Sequence, residues 1–583
     1  MITVRFGVQI DDTGVGIGPI LSLMGVPNGV AGSPTETELQ LTMSTGALLT
    51  LRGDANMGGF LDISNLPLSV VNSQITDFNI STAGGSLIFS VSGLPGVSGS
   101  MLGSPADFYS ILLGNESLVG ENVRIFGSRF SDTLHGGASD NEIHGGSGND
   151  HLFGMAGNDI LSGDAGNDIL NGNAGVDSAS YALAKAAVNV NLALTGAQNT
   201  GGGGVDTLTS IEDLIGSRFN DTLTGNSGKN VLTGGPGNDR LDGGTGSDTA
   251  SYESAAIAVK VSLALTTAQN TLGAGTDTLI RVENLTGSHF NDTLTGNSGG
   301  NVLTGGDGND KLTGGAGSDT ASYQNAEGPV TVSLLTTAAQ NTGDAGVDTL
   351  RSIENLSGSR FDDFLFGNAG NNVLFGGDGD DVLAGGAGND TLNGGAGSMD
   401  AADYSDAVEG IMVSLSVTTA QETGGAGTDT LKNVEKLIGG DFDDSLTGDS
   451  LDNVLTGGLG ADTLDGGSGN DLLSGDAGND TFLFSSLDGT DTLEDFMSGA
   501  DGLAFAGAVF AELATLNQAV SDGHGFIGVG ETPADGDDYL IYDSVSGALY
   551  YDASGAGSIE GEVVIVVQLS PETTLVAEDI VVT

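Results

Sequence analysis

Aspartate recurs at the sixth place of a nine-residue phrase, G-G-x-G-x-D-x-L-x, through the middle of the chain. Clean copies are GGSGNDHLF (145–153), GGPGNDRLD (234–242), GGDGNDKLT (305–313) and GGAGNDTLN (385–393). A three-residue x-L-x can form only a short strand, its middle residue facing one way and its neighbours the other. The six residues before it must make the turn, and glycine reaches the backbone angles that a tight repeated turn needs. Stacked units put Leu152, Leu241, Leu312, Leu392 and Leu464 in an inner apolar row. They put Asp150, Asp239, Asp310, Asp390 and Asp462 in a row of carboxylates along the turns. Carboxylates so aligned repel one another. A hard cation held by carboxylate and backbone carbonyl oxygens removes that repulsion, and calcium takes roughly 6–8 such oxygens.

The elements that position these residues are nested repeats. The nonapeptides fall into five blocks, 127–180, 216–251, 287–322, 358–402 and 439–483. The last unit of the fourth block is distorted by an extra residue at Ser398-Met399-Asp400. Between the blocks lie segments of 35 residues, 181–215, 252–286, 323–357 and 404–438, each opening on a tyrosine: Tyr181, Tyr252, Tyr323 and Tyr404. The tyrosine-to-tyrosine step is 71, 71 and then 81 residues, the longer one holding an extra nonapeptide and the inserted residue. A period kept so strictly predicts a solenoid in which each unit packs on its neighbours. The expected fold is all-β, a parallel β-roll flanked by β-rich N- and C-terminal domains.

Composition narrows the partners. Among 583 residues, 77 are acidic and 15 basic, a formal charge of −62. Such a charge opposes compaction and calls for a cationic partner, which argues against nucleic acid and anionic membrane surfaces. Glycine reaches 100 residues without the three-residue period and proline of collagen. There is no cysteine, hence no disulfide or thiolate metal site. No run of about 18 apolar residues suggests a membrane span. Met1 to Ile10 lacks the basic and apolar regions of a secretory signal peptide, so export would need another route.

From Gly127 to Leu483 the phrase resembles the RTX family of calcium-binding, type I-secreted bacterial proteins. The resemblance implies that two nonapeptides make one coil, with multiple calcium ions between successive turns on the same side. Its sixth-position ligands map to Asp150, Asp159, Asp168 and Asp177 in the first block. Asp239 and Asp248 follow in the second, Asp310 and Asp319 in the third, and Asp381 and Asp390 in the fourth. Asp462, Asp471 and Asp480 complete the set in the fifth. Glycine carbonyls of the same turns would fill each shell. Each block opens with phenylalanine at the fourth place, Phe130, Phe219, Phe290, Phe361 and Phe442, which should spoil the glycine turn. Each second unit carries asparagine at the sixth place: Asn141, Asn230, Asn301, Asn372 and Asn453. A neutral amide oxygen should hold calcium weakly or not at all, so these two units read as transition coils.

The 35-residue segments read as structural. AVKVSLAL (258–265) alternates as a strand should. Glu212, Glu283, Glu354 and Glu435 recur at one place, read as turn-binding or exposed carboxylates in preference to metal ligands. The tyrosines read as covers over the end of each roll.

Three domains are expected: 1–120, 121–484 and 485–583. Residues 1–120 hold short apolar runs such as GALLTLRG and GSLIFSVSG, broken by turn residues, and suggest a β-sandwich-like domain. TFLFSSLDGTDTLEDFMSGADGLAF (481–505) resembles the segment closing the roll in secreted RTX proteases, and YLIYDSVSGALYYD (539–552) reads as two strands around Ser546-Gly547. The last residues, Glu578 to Thr583, are similar to uncleaved C-terminal signals of type I export.

No catalytic constellation stands out. The five histidines, His135, His144, His151, His289 and His524, keep no fixed place, and H-E-x-x-H is absent. Gly296-Asn297-Ser298-Gly299-Gly300 fits the nucleophile-elbow pattern but falls in a nonapeptide turn. The expectation is a non-enzymatic, secreted, extracellular calcium-binding protein with a structural, surface or adhesive role. Its partners would be calcium, the type I secretion machinery and a cell-surface or matrix ligand for the N-terminal domain. The alternative is a secreted hydrolase with a catalytic domain of unrecognised type at one end.

Overall fold

The computed structural model describes residues 124–127, 129–516, 526–528, 539–554 and 563–583, with the backbones of four earlier strands. Those strands, Glu36–Thr42, Leu48–Asp54, Asp77–Thr82 and Phe89–Ser92, pair antiparallel. Phe89–Ser92 also pairs with Arg124–Phe126, placing Val91 opposite Ile125. The β-sandwich expected over the rest of residues 1–120 lies outside the described residues, as does His524. The chain divides into two compact units, residues 1–288 and 289–583.

In the first unit the last three residues of each nonapeptide form a strand, and strands eighteen residues apart pair in parallel. Leu134, Leu152, Leu170 and Leu208 are successive partners in one sheet. Ile125, Ile143, Leu161, Ala179 and Leu214 are successive partners in the facing sheet. One coil is therefore two nonapeptides, and the central residues of both strands meet between the sheets. Leu152, Leu161 and Leu170 are fully buried there. Burying each leucine contributes on the order of 2 kcal/mol, against the entropy of ordering a coil rich in glycine.

Each spacer closes one sheet and opens the next. Gln198–Asn199 folds back antiparallel on Val205–Thr209 and ends the sheet of Leu170, while Asn189–Asn191 starts a new one with Thr222–Thr224. The Gln198 side chain straps this corner: its Oε1 accepts from Asn191 N–H at 2.8 Å and its Nε2 donates to Asn191 O at 3.0 Å. In the following spacer Val259, Val261 and Leu263 are buried and Lys260 is exposed, the alternation that AVKVSLAL predicts.

The second unit repeats this plan with one change of side. The spacer hairpin Gln340–Gly343 with Gly346–Arg351 closes the sheet carrying Thr293–Thr295 and Lys311–Thr313. The next hairpin, Gln421–Gly424 with Gly427–Lys432, closes the facing sheet of Val302–Thr304, Thr320–Ser322, Asn355–Ser357, Val373–Asp378 and Thr391–Ala396. The fourth block has five nonapeptides where the third has four, so its last strand ends on the other face.

Coils continue beyond residue 484. Asp491–Leu493 pairs with Leu472–Ala477, and Gly502–Phe505 pairs with Thr481–Phe484. Leucine gives way to aromatic side chains at this end. Phe484 stacks on Phe505, and Phe510 meets both Phe505 and Tyr551 edge-on at about 5 Å. Leu540–Asp543 and Ala548–Tyr551 form the antiparallel pair read from 539–552, with Gly547 at φ 80° in the turn. The final strand, Ile580–Val582, lies parallel to Gly502–Phe505, and the buried Asp579 beside it accepts from Ser498 Oγ at 2.6 Å and Gly499 N–H at 2.9 Å.

Candidate metal sites

The sixth-position aspartates are buried side by side along the turns. Each turns one carboxylate oxygen to the coil before it. Asp150 Oδ1 accepts from Asp132 N–H at 2.8 Å, Asp168 Oδ1 from Asp150 N–H at 2.8 Å, and Asp177 Oδ1 from Asp159 N–H at 2.8 Å. The same bond, at 2.7–2.9 Å, is made by Asp159, Asp239, Asp248, Asp310, Asp319, Asp390, Asp462 and Asp471. Asp381 and Asp480 make it too, to Asp363 and Asp462. This ladder fixes the carboxylates in place.

The second oxygen has no protein partner. Oδ2 of Asp150, Asp159, Asp168, Asp177, Asp239, Asp248, Asp310, Asp319, Asp381, Asp390, Asp462 and Asp471 is sealed from solvent without a hydrogen bond. Asp480 is not among these orphans, whereas Asp400, which the nine-residue spacing passes over, is. A buried polar atom left unpaired costs about 1–3 kcal/mol, more if charged, so a row of them points to a cationic ligand.

The surroundings are oxygen-rich backbone. The point where a side chain on Gly145 would begin lies 2.5 Å from Asp150 Oδ2 and 2.9 Å from the Gly163 carbonyl oxygen. The same point on Gly376 lies 2.5 Å from the Gly394 carbonyl oxygen and touches Asp381 Oδ2. Any side chain there would fill the space between carboxylate and carbonyl, which explains glycine at the first place. Among the described residues no three His, Cys, Asp or Glu side chains converge on a point. A cation would therefore take one carboxylate oxygen with several carbonyls, a hard set that suits calcium better than zinc or copper.

Without a cation these carboxyls hold protons tightly. Burial pushes Asp310 up to about 8, with repulsion from Asp348 and Asp292 added, although the Asp292 N–H works the other way. Burial likewise lifts Asp159, Asp168, Asp239, Asp381 and Asp462 to about 7, and Asp390 to about 6.

The transition coils differ as their residues suggest. Asn230 Oδ1 accepts from Asn226 N–H at 2.7 Å and its Nδ2 donates to Glu212 O at 2.6 Å, so its turn closes on itself. Asn372 does the same with Asn368 and Glu354. In the units opening on phenylalanine, none of the five takes the left-handed φ of Gly148 or Gly308. Asp221 is instead held at both oxygens, by Val188 N–H at 2.7 Å and by Ser217 N–H and Oγ.

Two features were not read from the sequence. The spacers contribute their own carboxylates to the ladder: Asp206, Asp277, Asp348 and Asp429 accept from the N–H of Asp168, Asp239, Asp310 and Asp390 at 2.8–2.9 Å. Their second oxygens are occupied. Thr200 Oγ1 at 2.8 Å and Tyr181 Oη at 3.2 Å donate to Asp206 Oδ2, and Thr342 and Tyr323 do so at 3.1 Å to Asp348. Tyr181 and Tyr323 are thus buried locks on a carboxylate, whereas the buried hydroxyls of Tyr252 and Tyr404 make no hydrogen bond. Glu212, Glu354 and Glu435 bind turns, accepting from the N–H of Asp177, Asp319 and Asp400. The second feature is an outer ladder at the fifth place. Asn149 accepts from Asn167 N–H, Asn167 from Val205 N–H and Asn220 from Asn238 N–H, each at 3.0 Å. The recurring asparagine of G-N-D was its signal.

The remaining motifs gather no chemistry. His144 sits between Glu142, at 3.0 Å, and Asp164, at 3.6 Å, and His289 lies 2.9 Å from Asp307. Ser298, the elbow-like serine, is exposed on the turn that Asn297 and Asn301 tie together.

A family profile described as the RTX calcium-binding nonapeptide repeat matches residues 124–152, 144–179, 215–250, 286–321, 351–383, 366–398 and 447–482. The chain is an RTX-type repeat protein. Its nonapeptides are calcium-binding repeats wound into a β-roll, and no described helix is long and apolar enough to cross a membrane. No curated protein matches the chain. Among solved structures, the crystal structure of extracellular lipase LipA from Serratia marcescens is similar at 21% identity over 41% of this chain, with a TM-score of 0.12. The match spans 45% of that lipase, less than half its length.

Proposed function

We propose that this RTX chain leaves the cell through a type I channel as a loose acidic polypeptide. It folds outside as multiple calcium ions engage the sixth-position aspartates, and it serves a structural, surface or adhesive role without catalysing a reaction. The observation that carries this reading is the row of buried Oδ2 atoms without protein partners. Bound calcium would supply the positive partner that these oxygen atoms lack. The chain's own residues do the rest. Oδ1, bonded to the preceding coil, aims Oδ2 into the turn, and the first glycine leaves room beside it.

A charge of −62 and many glycines keep the calcium-free repeats expanded. A ligand binding only the folded state adds about 2.7 kcal/mol per site at a hundredfold excess over Kd. Extracellular calcium modules have Kd of about 10⁻⁴–10⁻³ M, so export and folding would separate on the two sides of the membrane.

Circular dichroism of the full chain tests the proposal. Little regular structure is expected in chelator, with a steep gain of β signal in millimolar calcium and a much weaker response to magnesium. Full β structure persisting in chelator, or equal responses to both ions, would overturn it.

A further inference from the structure

We infer that Asp400, displaced from the nine-residue frame by an inserted residue, holds an additional calcium ion. The inference rests on the calcium reading of the regular turns. The family profile stops at residue 398, and G-G-A-G-S-M-D puts seven residues where the phrase has six. The insertion is absorbed at the rim of the turn. Ser398 N–H and Met399 N–H both donate to Asp380 Oδ1, at 3.0 and 3.1 Å, so one outer-ladder oxygen takes two backbone donors, with Ser398 Oγ also donating at 3.4 Å.

Inside the turn nothing is displaced. Asp400 Oδ1 accepts from Asp381 N–H at 2.8 Å, and Asp400 N–H donates to Glu435 Oε2 at 3.0 Å. The Asp400 carbonyl accepts from Glu435 and Lys436 N–H at 3.0 and 2.9 Å. Asp319 has the same set: its Oδ1 bonds Asn301 N–H, its N–H bonds Glu354 Oε2, and its carbonyl takes Glu354 and Asn355 N–H at 3.0 and 2.9 Å. Asp400 is therefore the fourth block's counterpart of Asp319.

The oxygen surroundings match as well. The carbonyl oxygen of Asn433 crowds Gly394 beside the Asp400 carboxyl, as that of Ser352 crowds Gly314 beside Asp319. Asp400 is fully buried, and its Oδ2, like that of Asp319, has no partner. Its neighbourhood adds Glu435, Asp380 and Asp362, all acidic side chains and none supplying a donor to Oδ2.

Calcium stoichiometry of the full chain, measured by equilibrium dialysis with radiolabelled calcium, tests the assignment. Asp400→Asn keeps the Oδ1 acceptor for Asp381 and should bind one ion fewer than wild type, as should the reference variant Asp390→Asn. An unchanged count in Asp400→Asn beside a reduced count in Asp390→Asn overturns this site and leaves the regular turns standing. A wild-type chain that binds no calcium overturns the underlying reading. Should Asp400→Asn fail to recover its β signal in saturating calcium, wild-type crystals soaked in a lanthanide decide. An anomalous peak about 2.3–2.6 Å from Asp400 Oδ2 supports the site. Peaks at Asp390 and none at Asp400 overturn it.

Discussion

The nonapeptide turns and the spacer turns solve one problem in two ways. Both bury an aspartate whose first oxygen bonds the preceding coil, as Asp310 bonds Asp292 N–H and Asp348 bonds Asp310 N–H. They part at the second oxygen. Asp348 Oδ2 takes the hydroxyls of Thr342 and Tyr323, whereas Asp310 Oδ2 takes nothing from the protein. The spacer aspartate finds both its partners in the polypeptide, and the nonapeptide aspartate finds only one. The roll thus alternates turns whose buried Oδ2 atoms have no protein partner with spacer turns whose ladder aspartates are bonded at both oxygens.

The largest effect that could break this contrast is the response of the calcium-free chain to pH. Asp310, near 8, and Asp159, Asp168, Asp239, Asp381 and Asp462, near 7, hold protons more tightly folded than unfolded. Their contribution to stability is complete below the ordinary aspartate range near 3.8 and is lost as pH rises through about 7–8. Calcium-depleted protein should therefore gain β signal on acidification from pH 8 to 5. With calcium saturating the sign reverses, because protons compete with the cation for Oδ2. Circular dichroism titrations with and without calcium check both slopes, and parallel slopes would remove the distinction.

Single residues sharpen the comparison. Asp310→Ala removes a calcium ligand and the acceptor for Asp292 N–H, and should cost about 3–5 kcal/mol in urea unfolding with calcium present. Asn301→Ala removes the Oδ1 acceptor for Asn297 N–H and the Nδ2 donor to Asn297 Oδ1, about 1–2 kcal/mol, and should leave the calcium count unchanged. A loss of calcium from Asn301→Ala equal to that from Asp310→Ala would show that the asparagine turns are metal sites after all. The smallest effect belongs to Tyr323→Phe. Asp348 keeps Thr342, so about 1 kcal/mol is expected, the same at any calcium level above saturation. A calcium-dependent penalty would tie the spacer to the ion-binding turns.

Much of this was legible in the sequence because the repeat is its own alignment. The place of Leu152, Leu241 and Leu312 in every ninth residue fixes the buried row, and position six fixes the ladder. The neutral turns of Asn230 and Asn372 followed from residue type, and the recurrence of Glu212 at one place left it either exposed or turn-binding, of which the structure shows the second. What stayed hidden broke the register. Asp206 and Asp348 belong to the same ladder and open a recurring spacer phrase, DTLTSIEDL and DTLRSIENL, but they lie 38 positions after Asp168 and Asp310, outside the nine-residue frame that ties a carboxylate to the ladder. Asp400 slipped past because one residue shifted its number and not its position. Asparagine at the fifth place recurred plainly, yet only coordinates reveal that its oxygen reaches the next coil.

The odd nonapeptide of the fourth block works as a half-turn crank. Each unit carries the chain across the roll once, so an even count returns it to the side it left and an odd count does not. In the second unit this sends the loop beyond Tyr404 out of the face opposite the loop beyond Tyr323, although the contacts within each turn are alike. Duplicating or losing one nonapeptide therefore re-aims every later spacer through half a revolution without a new contact being invented. Changes in pairs lengthen the roll and leave its sides as they were. A lineage of such proteins could redistribute its protruding loops by counting alone, with parity as the inherited instruction.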